Sequence, residues 1–201
     1  MKGKKVCFLA CYDIPLGASL RTWNISKGLA NLGHDVTFIT SNYNHLMPKK
    51  RRLKGLIYEK EYLDGVNIIW INSINYGEST LMRFVHMTFY SLSAFFVALL
   101  ETKKVDYYLG TSVPLPVSLI AYCLSILKKS KFIFEIRDVW PQELIDLGYI
   151  SEGSIVTKIL RKIEVTVCKN ACAIISALPN INDHLKSISR DLVFEFIPNP
   201  Y

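Results

Sequence analysis

The feature that most restricts the fold is a regular alternation of short apolar, β-branched runs with longer amphipathic or apolar segments. The short runs predict strands and the longer segments predict helices, because buried strands are short and helices usually exceed ten residues. Strands that alternate with helices are typical of βαβ units and of a parallel sheet. The sequence therefore predicts an α/β domain with a Rossmann-like, doubly wound, mostly parallel sheet.

The predicted strands cover residues 5–11, 34–40, 66–71, 105–110, 131–136, 171–176 and 192–197, and the predicted helices cover 20–32, 78–101, 115–128, 151–169 and 179–187. Asp64-Gly65 is expected to form the turn of a hairpin over residues 56–71. Ser19 is expected to cap the first helix. Ile155, Ile159, Ile163 and Val167 are four apart, which predicts an apolar stripe on one face of the helix over 151–169.

A chain of 201 residues is long enough for one well-filled core and short for two. Its net charge of +7 favours an anionic partner, either a phosphate-bearing ligand or acidic lipid, and no motif for nucleic acid is present. Five cysteines without a secretory signal indicate a reduced, cytosolic protein. Cys168 and Cys172 lie one helical turn apart but lack further ligands, so we predict no metal site and expect buried structural thiols.

Two apolar stretches, 84–100 and 107–127, raise the question of a membrane span. The first is short and interrupted by polar residues and the second contains prolines, whereas a spanning helix needs roughly 20 continuous apolar residues. Both are therefore expected to be core elements. The basic residues Lys49, Lys50, Arg51, Arg52 and Lys54 predict contact with an anionic membrane surface, with residues 81–100 inserting shallowly. The alternatives are a solvated loop and an ordinary buried helix.

The stretch from 131 to 150 is the strongest candidate for a functional loop. The apolar run Phe132-Ile133-Phe134 stops at Glu135, and Arg137 and Asp138 follow directly. Charged groups beside a buried strand are costly unless they pair or bind something. In doubly wound sheets, ligands bind outside the carboxyl ends of the strands, which is where these side chains are expected to lie.

Several stretches occur here in the order found in one known family: SLRTWNISKGLANLGHDVTFITSN, DGVNIIWI, VDYYLGTSVPLP, FIFEIRDVWPQELIDLG, ACAIISALPNINDHL and FIPNP. Through them the chain resembles the N-terminal, acceptor-side domain of family-4 GT-B glycosyltransferases, in the subgroup of O-antigen and capsule sugar transferases. The resemblance implies retaining transfer of a hexosyl-type sugar from a nucleotide sugar to a lipid-linked sugar acceptor, without a cofactor. It also implies a peripheral location at the cytoplasmic face of the plasma membrane.

The resemblance assigns residues 1–197 to this domain and 198–201 to the start of an interdomain linker. The donor-binding domain is expected to be absent from this sequence or supplied by a partner chain, so we expect the chain alone to be inactive. The family pattern Ile-Pro-Asn-Gly is replaced here by Ile-Pro-Asn-Pro, and the loop after the first strand has only Gly17 where adjacent glycines are usual.

Asp138 is the predicted catalytic residue, contacting an acceptor hydroxyl or orienting a group in the cleft. Arg137 is predicted to hold an anion and Glu143 to contribute to substrate binding. The alternative is a local ion pair between Arg137 and Glu135 or Glu143 that only fixes the loop.

The remaining predicted substrate-binding residues are Gly17, Arg21, Thr111, Ser112 and Trp140. Arg21, beside Gly17 at a helix N-terminus, suits a phosphate, and the alternative is a solvated arginine packed on Trp23. Thr111 and Ser112 bind a sugar hydroxyl or cap a helix. Trp140 stacks on a ligand or belongs to the core. Two other functions remain open: a non-catalytic binding module for a phosphorylated or prenyl-linked sugar, and a scaffold for polysaccharide assembly.

Overall fold

The computed structural model describes residues 3–15, 21–44, 47, 49–77, 79–189 and 191–199. The strands in these ranges are β1 (Lys5–Ala10), β2 (Asp35–Ser41), β3 (Tyr58–Leu63), β4 (Val66–Ile71), β5 (Tyr107–Thr111), β6 (Lys131–Ile136), β7 (Ala173–Ser176) and β8 (Phe194–Phe196). The helices are α1 (Arg21–Asn31), α2 (Thr80–Glu101), α3 (Pro116–Leu127), α4 (Gln142–Asp146), α5 (Ile155–Asn170) and α6 (Ile181–Ile188).

All these strands form one sheet in the order β3-β4-β2-β1-β5-β6-β7-β8. Neighbouring strands are parallel, except that β3 is antiparallel to β4. Strands β2, β4 and β3 lie on one side of β1, and strands β5, β6, β7 and β8 lie on its other side. The predicted doubly wound sheet is therefore confirmed, and the point where its order reverses lies between β1 and β5.

The β3–β4 hairpin turns at Asp64 and Gly65, which have φ values of 50° and 82°. Positive φ at both central residues matches the right-handed twist of the two strands, which is why Asp-Gly predicted this hairpin correctly. The core has two parts, one on each face of the sheet. One contains Trp23 of α1, and the other contains Tyr90 of α2 and Val167 of α5.

The apolar stripe on α5 is covered only at its carboxyl-terminal end. Ile155 and Ile159 are 76% and 54% exposed, whereas Val167 at the other end of the stripe is buried. Residues four apart rotate about 40° per step around a helix of 3.6 residues per turn, so this stripe turns away from the sheet along its length. Cys168 is buried as expected, but Cys172 is exposed, so the expectation of two buried thiols is wrong for Cys172.

Helix α2 packs only one of its faces against the domain. Its covered face includes Tyr90, Ala94 and Ala98. The opposite face, which we call the α2 outer stripe, exposes Leu81, Val85, Phe89, Leu92, Phe96 and Leu100. The helix is long and apolar enough to cross a membrane by length and composition, a test that core helices of soluble proteins also pass. The expectation of an ordinary core element therefore holds for one face only.

Candidate functional site at the carboxyl edge of the sheet

Five polar side chains meet beneath the carboxyl edge of the sheet, at the reversal point between β1 and β5. This buried charge cluster consists of Asp13, Arg21, Thr22, Glu135 and Arg137. The first four residues are between 0% and 7% exposed, and the Arg137 side chain is 22% exposed. Three separate segments supply them: the loop after β1, the first turn of α1 and the end of β6. The sheet order brings these segments together although more than 100 residues separate Asp13 from Glu135.

Hydrogen bonds connect all five members of the cluster. Nε of Arg21 donates to Oε1 of Glu135 at 2.8 Å. Oγ1 of Thr22 lies 2.7 Å from Oδ2 of Asp13 and 3.0 Å from Oε2 of Glu135. Nη1 of Arg137 donates to the same Oδ2 of Asp13. The ion pair of Arg137 with Asp13 joins β6 to the β1 loop, a pairing that the sequence had not suggested.

The carboxyl group of Asp13 makes ionisation of the buried Glu135 more costly. Burial raises the pKa of Glu135 and the nearby Asp13 raises it further, while Arg21 and Arg137 act in the opposite direction. A pKa displaced by burial and a specific charged neighbour is a common property of functional sites, although structural ion pairs show it too.

Arg21 also binds the chain beyond β8. Its Nη1 donates to the carbonyl oxygen of Pro198 and to Oδ1 of Asn199, both at 3.1 Å. Its Nη2 is buried and finds no hydrogen-bond acceptor among the residues that the structure describes. A buried guanidinium N–H without an acceptor is unusual and favours an external oxygen ligand. The interpretation of Arg21 as a solvated surface residue is wrong, because the residue is only 7% exposed.

Ser112 positions the loop that follows β6. Its Oγ accepts hydrogen bonds from the backbone N–H groups of Arg137 at 3.0 Å and Asp138 at 3.2 Å. Its own backbone N–H donates to the carbonyl oxygen of Glu135 at 2.8 Å. The capping interpretation is wrong, since α3 begins after Leu115 without a side-chain cap, and Thr111 Oγ1 instead donates to the Val113 carbonyl at 3.3 Å.

Asp138 and Glu143 lie at the rim of the site, both partly buried. Burial raises the pKa of Asp138, against the opposing effect of Arg137. Burial also raises the pKa of Glu143, and the charges of Asp138 and Asp146 add to that effect. A carboxyl group with a raised pKa can exchange a proton nearer neutral pH than an ordinary one. Trp140 is 6% exposed within the core, where the alternative interpretation places it, and its stacking on a ligand stays a prediction.

A group of aromatic rings at the same edge was not predicted. Tyr12, Tyr43 and Tyr76 follow the ends of β1, β2 and β4, and their rings lie 4.8–6.4 Å from the ring of His86 on α2. His86 Nδ1 lies 2.7 Å from the Ile74 carbonyl oxygen, and burial lowers the pKa of this imidazole. The sequence could have indicated this group, because each of the three tyrosines follows the end of a predicted strand. The same rule, that ligands bind outside the carboxyl ends of the strands, identified the loop after β6.

The basic loop divides into bound and exposed side chains. Lys50 Nζ donates to the Ser73 carbonyl. Arg51 pairs with Glu61 at 3.1 Å, and its guanidinium lies 4.4 Å from the centre of the Trp70 ring. Lys49, Lys50, Arg52 and Lys54 are exposed. Four of the five residues predicted to contact a membrane are therefore exposed, although Lys50 is also held by its hydrogen bond to Ser73.

Gly17, predicted to bind substrate, lies outside the described residues.

A pocket of about 480 Å³ lies at the opposite, amino edge of the sheet, lined by residues that include Lys5, Asp35, Lys60 and Glu101. Two cations of this pocket are paired, Lys5 with Asp35 and Lys60 with Glu101, and the exposed Lys103 and Lys104 also line it. No cluster of three or more potential metal-ligating side chains occurs in the part of the chain that the structure describes.

The fold is shared with glycosyltransferases of known structure. The chain is similar to CalG4, the calicheamicin glycosyltransferase, with a TM-score of 0.61 and 10% identity, over 100% of this chain and 53% of that one. It is also similar to UGT89C1 of Arabidopsis thaliana, solved with UDP-L-rhamnose, with a TM-score of 0.55 and 9% identity, over 96% of this chain and 47% of that one. No protein-family model and no curated protein sequence matches the chain.

The class that the fold defines follows from these two similarities. The chain has the fold of one half of a GT-B glycosyltransferase and spans about half the length of the two solved enzymes, so the predicted fold class is confirmed. At such low identity the similarity shows the fold alone. What the chain binds and does must be argued from its own residues.

Replacing Ser112 by alanine tests its positioning role. The substitution leaves two backbone N–H groups, those of Arg137 and Asp138, without their acceptor, and an unsatisfied buried donor costs about 1–3 kcal/mol. We expect urea denaturation to show a loss of stability in this range. Ser118→Ala is the matched control, because this equally buried hydroxyl only donates to the Leu115 carbonyl at 2.7 Å. Equal losses in the two variants would contradict the role of Ser112.

Proposed function

We propose that the chain is the acceptor-side half of a retaining, nucleotide-sugar-dependent glycosyltransferase that transfers a hexosyl-type sugar to a lipid-linked sugar in surface polysaccharide synthesis. The buried charge cluster beneath the carboxyl edge carries the proposal. Diphosphate is the group that nucleotide sugars and prenyl-diphosphate sugars share, and the unsatisfied Arg21 Nη2 suits one of its oxygens. The GT-B half-fold and the net charge of +7 support the same assignment. The resemblance of the EIRDVWP stretch to family 4 supports the retaining, capsule-type assignment.

In this proposal the residues of the edge have separate roles. Asp138 accepts a hydrogen bond from the reacting acceptor hydroxyl, and its raised pKa suits proton exchange with that group. Arg21 and Arg137 stabilise the phosphate charge of the ligand. Glu143 and Thr111 contribute to the acceptor side, while Ser112 holds the backbone of Arg137 and Asp138 in place. A second domain, in a longer chain or a partner chain, supplies the donor contacts.

Membrane attachment is part of the proposal, because a lipid-linked acceptor is delivered at a membrane surface. The α2 outer stripe presents six large apolar side chains to solvent. The exposed pair Lys103 and Lys104 follows its carboxyl-terminal end. The basic loop lies near its amino-terminal part, since the charge of Lys50 acts on His86. An apolar helix face with cations at both ends suits the boundary between headgroups and acyl chains on the cytoplasmic leaflet.

Transfer activity is the direct test of the catalytic assignment. The protein encoded by the longest reading frame that contains these 201 residues is purified and incubated with a panel of nucleotide sugars and a prenyl-diphosphate-linked sugar. The products are identified by mass spectrometry. We expect transfer from one donor. We expect Asp138→Asn to lower kcat by about 10²-fold or more, because a positioned acid or base contributes typically that much.

The matched control is Asp183→Asn, a change of the same chemistry on α6. The Asp183 side chain is exposed and lies 3.8 Å from Lys186 on the same helix, so its replacement is expected to leave kcat unchanged. Normal turnover in Asp138→Asn would contradict the catalytic role. Binding of the acceptor without any transfer would instead favour a non-catalytic binding module.

Vesicle flotation tests the membrane surface. Neutralising Lys49, Arg52 and Lys54 together with glutamine is expected to weaken binding to phosphatidylglycerol-containing vesicles about 10²-fold, because each cation is worth about 1 kcal/mol near an anionic leaflet. The control removes three exposed charges elsewhere, on α5: Lys158, Lys162 and Lys169. Equal weakening by both triple variants, or equal binding to neutral phosphatidylcholine vesicles, would contradict a specific basic surface.

A further inference from the structure

One hydroxyl group lies between two carboxyl groups in the buried charge cluster. Oγ1 of Thr22 is 2.7 Å from Oδ2 of Asp13 and 3.0 Å from Oε2 of Glu135, and both distances are those of ordinary hydrogen bonds. A threonine hydroxyl carries one hydrogen, so it donates fully to only one of these oxygens. If both carboxyl groups were ionised, the second contact would place two lone pairs against each other in a buried site. A proton on one carboxyl group removes this conflict.

The other contacts of the two carboxyl groups indicate where that proton lies. Oδ2 of Asp13 already accepts from the guanidinium of Arg137 as well as facing Thr22. A carboxylate oxygen that accepts from a cation is a poor place for a proton. In Glu135 the cation of Arg21 binds the other oxygen, Oε1, so Oε2 has Thr22 as its hydrogen-bond partner among the described residues. Oε2 of Glu135 is thus the better proton carrier.

We infer that Glu135 is a neutral carboxylic acid at neutral pH, with Oε2–H donating to Thr22 Oγ1, whose own hydrogen is donated to Oδ2 of ionised Asp13. Burial has the largest effect on the pKa of Glu135 and raises it, as does the charge of Asp13, whereas Arg21, Arg137 and the hydrogen bond to Thr22 act in the opposite direction. The net direction is upward, which agrees with a neutral acid. The charged and titratable groups around Glu135 in the described part of the chain are Asp13 from the β1 loop, Arg21 from α1 and Arg137 from β6.

The proton changes the charge that the site presents. Two guanidinium groups and one carboxylate leave a net charge of +1 in the cluster, where two carboxylates would leave none. We place the excess positive charge on Arg21, because its Nη2 has no hydrogen-bond acceptor within the described ranges. The statement that this charge serves a ligand phosphate rests on the proposed function, but the proton itself is tested without any ligand or transfer reaction.

Carbon-13 NMR of the chain labelled at the glutamate side-chain carboxyl carbon measures the protonation of Glu135 directly. The Glu135 signal is the one missing from Glu135→Gln, and we expect it to titrate above neutral pH. Thr22→Val keeps the side-chain shape but removes the hydroxyl group, so it shows whether Glu135 donates to Thr22 or accepts from it. If the neutral acid donates to Thr22, the substitution lowers the pKa of Glu135. If an ionised Glu135 accepts from Thr22, the substitution raises this pKa. A Glu135 signal that titrates in the ordinary glutamate range, or a raised pKa in Thr22→Val, would overturn the inference.

The pH dependence of stability gives an independent readout. A carboxyl group whose pKa is raised by folding holds a proton that the unfolded chain has lost, so unfolding becomes easier as pH rises from the ordinary glutamate pKa towards the raised one. We expect Glu135→Gln to remain folded and to lack this fall in Tm. Glu152→Gln, a change at an exposed glutamate, is expected to retain it. An identical pH dependence in wild type and Glu135→Gln would contradict the inference.

Discussion

The hydrogen bond from the Arg21 guanidinium to the Glu135 carboxyl group is the interaction on which the rest of the site depends. Burying polar and charged groups is costly, and the cost is offset here because Arg21 and Thr22 both hydrogen-bond the Glu135 carboxyl group and Thr22 also hydrogen-bonds Asp13. This contact also connects parts of the chain that are far apart, since Arg21 donates a second hydrogen bond to Asn199, beyond β8. Local rearrangement of any one of these segments would leave a buried polar group without its partner, so they are held in one arrangement.

This constraint fixes the side chains at the carboxyl edge of the sheet. In doubly wound sheets ligands bind where the strand order reverses, and the buried charge cluster lies at that reversal, between β1 and β5. Ser112 fixes the backbone of Arg137 and Asp138 beside that cluster. The same half-fold occurs in two solved glycosyltransferases at 9–10% identity, and a shared fold does not by itself specify a function.

Much of the fold could be predicted from the sequence, because strands and helices have different hydrophobic periods and because Asp64-Gly65 permits one kind of turn. The loop after β6 could also be located, since charges directly after Phe134 are costly beside a buried strand unless they pair or bind a ligand. The pairing of Arg137 with Asp13 and the role of Thr22 could not be predicted, because strand order decides which loops meet and alternation alone leaves that order open. Which residues form the α2 outer stripe could not be predicted for a similar reason: an apolar helix does not reveal which of its faces is covered.

The carboxyl edge over the buried charge cluster is, in this proposal, the place where an anionic sugar ligand binds. Amide chemical-shift mapping of the chain with inorganic pyrophosphate, the group common to nucleotide sugars and prenyl-diphosphate sugars, tests this most directly. We predict saturable shifts at Asp13, Arg21 and the 137–138 loop, and their loss in Arg21→Met. Shifts confined to the amino-edge pocket around Lys5 and Lys60, or no saturable shifts, would contradict binding at the carboxyl edge.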